Sequence, residues 1–165
     1  MLFPPTIAGS LPKPGWLAET EKLWPKWKLE GEELERAKRD AALIWLKLQE
    51  DAGIEIVNDG EQSKPSYATY IKHRLSGFGG EAGQYEFADL EAFPGAKAQV
   101  FGNKGRAKRS APACTAPITV IDMEAPRIDA ERLKRLAGGH ATFMSAASPG
   151  VTALFFPNQF YASDE

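Results

Sequence analysis

Asn58-Asp59-Gly60-Glu61 directly follows the short β-type run Ile54-Glu55-Ile56-Val57, which puts two carboxylates two residues apart just past a strand. At that spacing both can point into one mouth, where a carboxylate holds an ammonium group, orients a substrate or works as an acid or base. The same residues can instead close a turn or cap a following helix. Gly9-Ser10 makes a second strand end, after Pro5-Thr6-Ile7-Ala8. Small residues there allow the backbone to lie close to something, although the start of a loop explains them too. A third such end is Ser145 with Ser148-Pro149-Gly150, after Ala141-Thr142-Phe143-Met144. In parallel α/β folds ligands bind at the carboxyl ends of strands, because loops and helix N-termini converge there. Gly9, Ser10, Asp59 and Glu61 are therefore candidate strand-end site residues, with the turn and loop-start readings open beside them.

Other chemistries find less support. His73 and His140 stand far apart, with no Cys or His at ligand spacing, so no metal site is expected within the chain. His73 reads as a helix-surface residue and His140 as structural, beside a strand. Cys114 is a lone thiol in an apolar run, read as a small buried hydrophobe, and rules out an internal disulfide framework. Lys104, Arg106, Lys108 and Arg109 form a short basic run suited to a polyanionic tail or simply to a solvated loop. No aromatic interleaving marks a nucleic-acid groove, and no glycine pattern matches a P-loop or dinucleotide fingerprint.

These residues need a scaffold. The 165 residues are 43% hydrophobic and 25% charged with a formal charge of −2, enough apolar material for a core and no global field to attract nucleic acid or anionic lipid. No stretch reaches the ~20 apolar residues that cross a bilayer, and the N-terminus lacks a secretory pattern. The expectation is a soluble cytoplasmic protein.

The clearest element is a helix over about residues 32–52. Leu34, Ala37, Ala41, Ile44, Leu48 and Ala52 repeat at steps of three and four, an apolar stripe that ends at Gly53. The stretch Trp16, Leu17, Leu23, Trp24, Trp27 and Leu29, broken by Pro25, predicts helical turns over one end of the core. Pro65 opens a further predicted helix carrying Tyr67, Tyr70, Ile71 and Leu75. Residues 77–111 read as irregular. Ala113 to Val120 predicts a third strand, Asp129 the N-cap of a short helix, and Ala141 to Ser145 a fourth strand. Four strands alternating with helices argue an α/β fold with a largely parallel sheet. The chain stops soon after, on Ser163-Asp164-Glu165, which reads as the opening of a helix and predicts a domain that continues.

Thr6-Ile7-Ala8-Gly9-Ser10-Leu11-Pro12-Lys13-Pro14 and the run from Gln49-Glu50-Asp51 to Asp59-Gly60-Glu61-Gln62 resemble the catalytic barrel of cobalamin-independent methionine synthases. Cys114-Thr115-Ala116-Pro117-Ile118-Thr119 is similar to that family's third-strand segment, and Ser148-Pro149-Gly150 to Asn158-Gln159-Phe160-Tyr161 to its fourth-strand loop. Order and spacing agree over nearly the whole chain, and the short single-barrel relatives are the nearest in pattern. The resemblance implies that residues 1–165 are the N-terminal half, about four strands, of a (β/α)8 TIM-type barrel. It implies transfer of a methyl group from a methyltetrahydrofolate-type donor to the thiol of homocysteine, or of another small thiol. Gly9, Ser10 and Glu61 then contact the amino-acid portion, with Asp59 beside them. The family activates the thiol on zinc, and its ligands lie in the second half of the barrel, which this chain lacks, so the chain alone is expected to be inactive. A half-barrel also exposes two sheet edges, which invites self-association. The reading from a different class is a non-catalytic half-barrel that dimerises or binds a partner.

Overall fold

The computed structural model describes residues 3–19, 26–66, 69–80, 82, 88–101 and 112–163. Helix α1, Gly31–Asp51, opens with Glu32 and Glu33 in its first turn, where their charge opposes the helix dipole. It ends in a Schellman turn: Gly53 N–H donates to Glu50 O and Ile54 N–H to Gln49 O, with Gly53 at φ 75° as the left-handed residue. The chain passes straight into β1, Ile56–Val57.

β1 is the middle of a parallel arrangement. On one side Thr6 bridges Ile56, and its hydroxyl donates to Ile56 O at 2.8 Å. On the other side β1 pairs with β4, Ala141–Thr142, in the register Ile56 with Ala141 and Val57 with Thr142. Helix α3, Glu124–Leu136, packs beside α1. Leu46 of α1, Leu133 of α3, Ala137 and Val57 form the core between helices and sheet, each fully buried aliphatic side chain contributing about 1.5–3 kcal/mol. A second cluster joins Leu17 to Ala37 and Ala41, with Trp27 and Leu29 against it, so the tryptophan-rich stretch covers the first half of α1. Leu23, Trp24 and Pro25 of that stretch lie outside the described residues.

The apolar stripe of α1 holds only for its first half. Ile44 and Leu48 are 47% and 49% exposed, whereas Ala42, Leu46 and Gln49 are buried. Gln49 explains the rotation: its Nε2 donates to Asn58 O at 2.8 Å and its Oε1 accepts from Asn58 N at 3.1 Å. A polar side chain thus pairs with the backbone that continues β1, and it faces the sheet in place of a leucine.

The expected third strand is corrected. β3, Ala113–Cys114, pairs antiparallel with β2, Phe78–Gly79, in a separate sheet. Leu75 with Val120 extends the pairing, so residues 75–79 and 113–120 form a ribbon outside the parallel sheet. Gly77 is required in it: at φ 89°, a Cβ there would stand 2.6 Å from Ala116 O. In place of four parallel strands, the described parallel sheet runs through Thr6, β1 and β4. Where Pro65 was expected to open a helix, the described residues hold a 3-10 turn, Ile71–His73, and Tyr67 lies outside them. Helix α2, Pro94–Phe101, stands in the stretch read as irregular, and α4, Pro149–Phe155, follows β4 with the Ser148 hydroxyl accepting from Val151 N. Asp129 does not cap α3. Asp122 takes that place, accepting from Glu124 N and Ala125 N, while Asp129 lies buried in mid-helix. Among the described residues no helix is long and apolar enough to cross a membrane.

Candidate functional site

The carboxyl ends of the parallel strands are stitched together. Leu11 N–H donates to Gly60 O at 3.1 Å, and Gln62 Nε2 donates to Leu11 O at 3.2 Å, which ties the loop after Thr6 to the loop after β1. Lys64 Nζ donates to Ser145 O, and the Ser145 hydroxyl reaches Ala8 O at 3.5 Å, so the loop after β4 closes the ring. Gly9 is buried where these loops meet, at φ 143°. A Cβ there would lie 2.5 Å from Ser145 Oγ and 3.8 Å from Glu61 Oε1. The close backbone approach expected at Gly9 is therefore to Ser145 and Glu61. Ser10 is exposed.

Asp59 and Glu61 are brought together but differ. Asp59 Oδ1 accepts from Glu61 N at 3.0 Å, and its Oδ2 accepts from Ser63 N at 3.2 Å and from the Ser63 hydroxyl at 2.5 Å. Its carboxylate is used up in shaping the loop, which is the turn-closing alternative. Glu61 is 6% exposed, yet its carboxylate makes no hydrogen bond or ion pair among the described residues. It is also the non-glycine residue held at positive φ, 60°, a conformation that costs on the order of 1–3 kcal/mol and is held only where surroundings enforce it.

Two cations at the site were not singled out by the sequence reading. Lys64 is 2% exposed, with its ammonium on Ser145 O and 5.1 Å from the centre of the Tyr70 ring. Lys13 is half-buried. Burial pushes its pKa down, the nearby Glu61 and Asp59 pull it up, and Lys64 adds to the lowering. The available signal was the run Asn58 to Lys64, polar or glycine throughout and yet entirely buried: a polar run directly after a buried strand must find its partners inside. Tyr70 carries the network outward. Its hydroxyl donates to Asp129 at 2.7 Å, and Arg132 joins Asp129 to Glu35 on α1. Burial raises the Asp129 pKa against the pull of Tyr70 and Arg132, and raises that of Tyr70 as well.

A cavity of about 480 Å³ is walled by Phe78, Cys114, Ile118, Phe156 and Tyr161, with Ala147 and Pro149, which follow β4, also in its lining. Cys114 is buried, as expected of a small hydrophobe. His73 is exposed on the 3-10 turn, and His140 Nε2 sits 3.5 Å from Glu50 Oε1. Among the described residues no three His, Cys, Asp or Glu side chains converge, so those residues offer no donor set that fits a zinc ion. The basic run 104–109 lies outside the described residues.

Parallel strands backed by helices, with a buried polar mouth at their carboxyl ends, define an α/β protein with a strand-end site. No family model matches the chain. Over 77 residues, 47% of its length, it is 38% identical to the methionine synthase of Sulfolobus acidocaldarius and 35% identical to that of Saccharolobus islandicus, and each match covers 23% of the relative. A B12-independent methionine synthase from Shewanella sp. W3-18-1, solved in complex with selenomethionine, superposes with a TM-score of 0.74 and 31% identity. That match takes in 95% of this chain and 41% of the other. The chain is related to the cobalamin-independent methionine synthases, and it spans less than half the length of the relatives it matches.

Proposed function

We propose that the chain supplies the amino-acid pocket of a methionine-synthase-type methyltransferase acting in the cytoplasm, as the N-terminal portion of a (β/α)8 barrel. The observation that carries this is Glu61: a residue only 6% exposed and held at positive φ, whose carboxylate faces Gly9 and makes no hydrogen bond or ion pair among the described residues. Such a group is stabilised by an incoming cation, and the ammonium of homocysteine or methionine is one. The Gly9-Ser10 backbone takes the carboxylate end, and Asp59 keeps Glu61 in place by holding its amide. The selenomethionine in the related structure supports an amino-acid ligand of this shape.

In this reading the substrate sulfur attacks the donor methyl group, forming the S–CH3 bond as the bond to the methyltetrahydrofolate-type donor breaks. The residues that activate the thiol belong to the rest of the barrel. No residue of this chain is assigned a catalytic role. A second reading, self-association, is favoured by Thr6 and Ala141–Thr142, which each pair on one side only among the described residues, and by the half-exposed Ile44 and Leu48.

Titration calorimetry with L-methionine tests the pocket. The wild-type chain binds, and Glu61→Gln weakens binding roughly tenfold or more, since a hydrogen bond to a charged group is worth about 1.5–3 kcal/mol. Equal affinity in wild type and variant refutes the assignment.

A further inference from the structure

The cavity bounded by Phe78, Cys114 and Phe156 takes no part in the reading of the mouth. Its walls come from the antiparallel ribbon, from the 3-10 turn at Ile71, from α4 and from the chain after α4. That last segment is joined to the ribbon: Cys114 N–H donates to Pro157 O at 3.0 Å, and Gln159 N–H donates to Cys114 O at 2.9 Å. Native interiors are packed as densely as organic crystals, and their voids seldom exceed a water molecule. A volume of about 480 Å³ is instead the size of a small-molecule site, roughly 300–1,000 Å³.

No charged side chain stands in its described lining, and most of its polar side chains already have partners. Asn158 donates through Nδ2 to Tyr161 O and Ser163 O, and accepts at Oδ1 from Phe160 N and Tyr161 N. Thr152 donates its hydroxyl to Ser148 O at 3.0 Å, and the Cys114 thiol donates to Ala116 O at 3.6 Å. Tyr161 differs. Its hydroxyl accepts from Ile118 N at 2.8 Å, and its own hydrogen meets no acceptor among the described residues. Phe78 and Phe156 stand with ring centres 4.8 Å apart and planes tilted by 40°, so the wall offers aromatic surface. We infer that this cavity is a binding site for a small, neutral aromatic molecule with one hydrogen-bond acceptor. The ring lies among Phe78, Phe156 and Ile118, where edge and offset contacts favour it, and the acceptor receives the Tyr161 hydroxyl. A charged ligand, an amino acid, or a pterin ring crowded with donors and acceptors leaves groups unpaired against such a wall. The site therefore differs in chemistry from the mouth at Glu61 and does not depend on the amino-acid reading of that mouth.

The test titrates three probes of similar size into the full chain and follows them by methyl and amide NMR: acetophenone, ethylbenzene and benzoate. The two neutral probes are expected to shift the methyl signals of Ile118 and Ala153 and to leave the amides of Gly9 and Gly60 unmoved. Benzoate is expected to shift neither set. Tyr161→Phe is expected to weaken acetophenone about fivefold, the factor of an ordinary neutral hydrogen bond, and to change ethylbenzene less than about twofold. Ala153→Trp puts a large ring into the space and is expected to abolish binding of both neutral probes. Ala153 is exposed as well as in the lining, so the variant is expected to fold. Circular dichroism and a thermal melt check this, with Ala153→Leu as the milder substitute.

No shift at Ile118 and Ala153 with either neutral probe overturns the proposal. So does benzoate binding as tightly as acetophenone, or probe binding unchanged in the folded Ala153 variant. Acetophenone binding that is indifferent to Tyr161→Phe overturns it too. None of these results bears on the methionine titration at Glu61, so the two assignments stand or fail separately.

Discussion

Replacing Gly9 by alanine puts a methyl group 2.5 Å from Ser145 Oγ and 3.6 Å from Ser145 Cβ. Two costs add. The backbone at φ 143° is in a region that side chains avoid, and holding alanine there costs about 2 kcal/mol, within the range for such conformations. The steric part is smaller, about 1 kcal/mol at the low end for overpacking. The obstacle is one hydroxyl, and its hydrogen bond to Ala8 O, at 3.5 Å, is at the limit of such contacts, so the hydroxyl can turn away. The sum is about 3 kcal/mol, a fall in Tm of roughly 6–12 °C for a chain of this size. Urea unfolding of wild type, Gly9→Ala, Ser145→Ala and the double variant measures both parts. The double variant is expected to recover the steric ~1 kcal/mol, as coupling between touching residues, and not the backbone part. A cost below about 0.5 kcal/mol for Gly9→Ala, the size of an ordinary surface change, refutes the account of this corner. So does a double variant that behaves as the plain sum of its singles.

Gln49→Ala leaves Asn58 N and Asn58 O without their partners; it is expected to cost about 2–6 kcal/mol, at about 1–3 per buried group left unpaired. The urea midpoint reads the loss, and faster hydrogen exchange of the Asn58 amide locates it. Glu35 supplies a pH test. Burial raises its pKa, but hydrogen bonds and attraction from Lys38 and Arg132 outweigh this and leave it below the ordinary value of 4.5. A carboxyl lowered on folding stabilises above its unfolded pKa and loses that stabilisation as pH falls through the folded one. Glu35→Gln is therefore expected to flatten the acid limb of a stability–pH curve below about pH 4.5; an unchanged limb assigns the slope elsewhere.

The parts legible in the sequence are those in which local pattern and tertiary partner agree. The acidic opening of α1, its glycine stop and the strand directly after it are local signals, and the structure repeats them. The same holds for the strand ends at Gly9, at Asp59 with Glu61, and at Ser145. What misled was information held by distant partners. Ala113–Cys114 is as apolar as a central strand, but its neighbour is Phe78–Gly79, and pairing direction is not written in either segment. Asp129 looks like a cap because Asp commonly caps; its actual partners, Tyr70 and Arg132, fix it inside α3. The stripe through Ile44 and Leu48 follows helical periodicity, and a glutamine that imitates a backbone partner turns the helix away from it. Lys13 and Lys64 passed unremarked because lysine is ordinarily solvated, and only burial shows otherwise.

The ring that closes the mouth joins residues very far apart along the chain. Ser145 meets Ala8 across 137 positions and Lys64 across 81. Closing loops of that length precedes any gain from the contacts, so this region forms late and slowly relative to the local turns of α1. During synthesis, residues 8–64 leave the ribosome and can build α1, its glycine stop and β1 while the strand end that completes the mouth has yet to be made. Until Ser145 arrives, the run from Asn58 to Lys64 has one wall missing and water satisfies its polar groups, so the cost of desolvating them falls on the step in which the β4 loop docks.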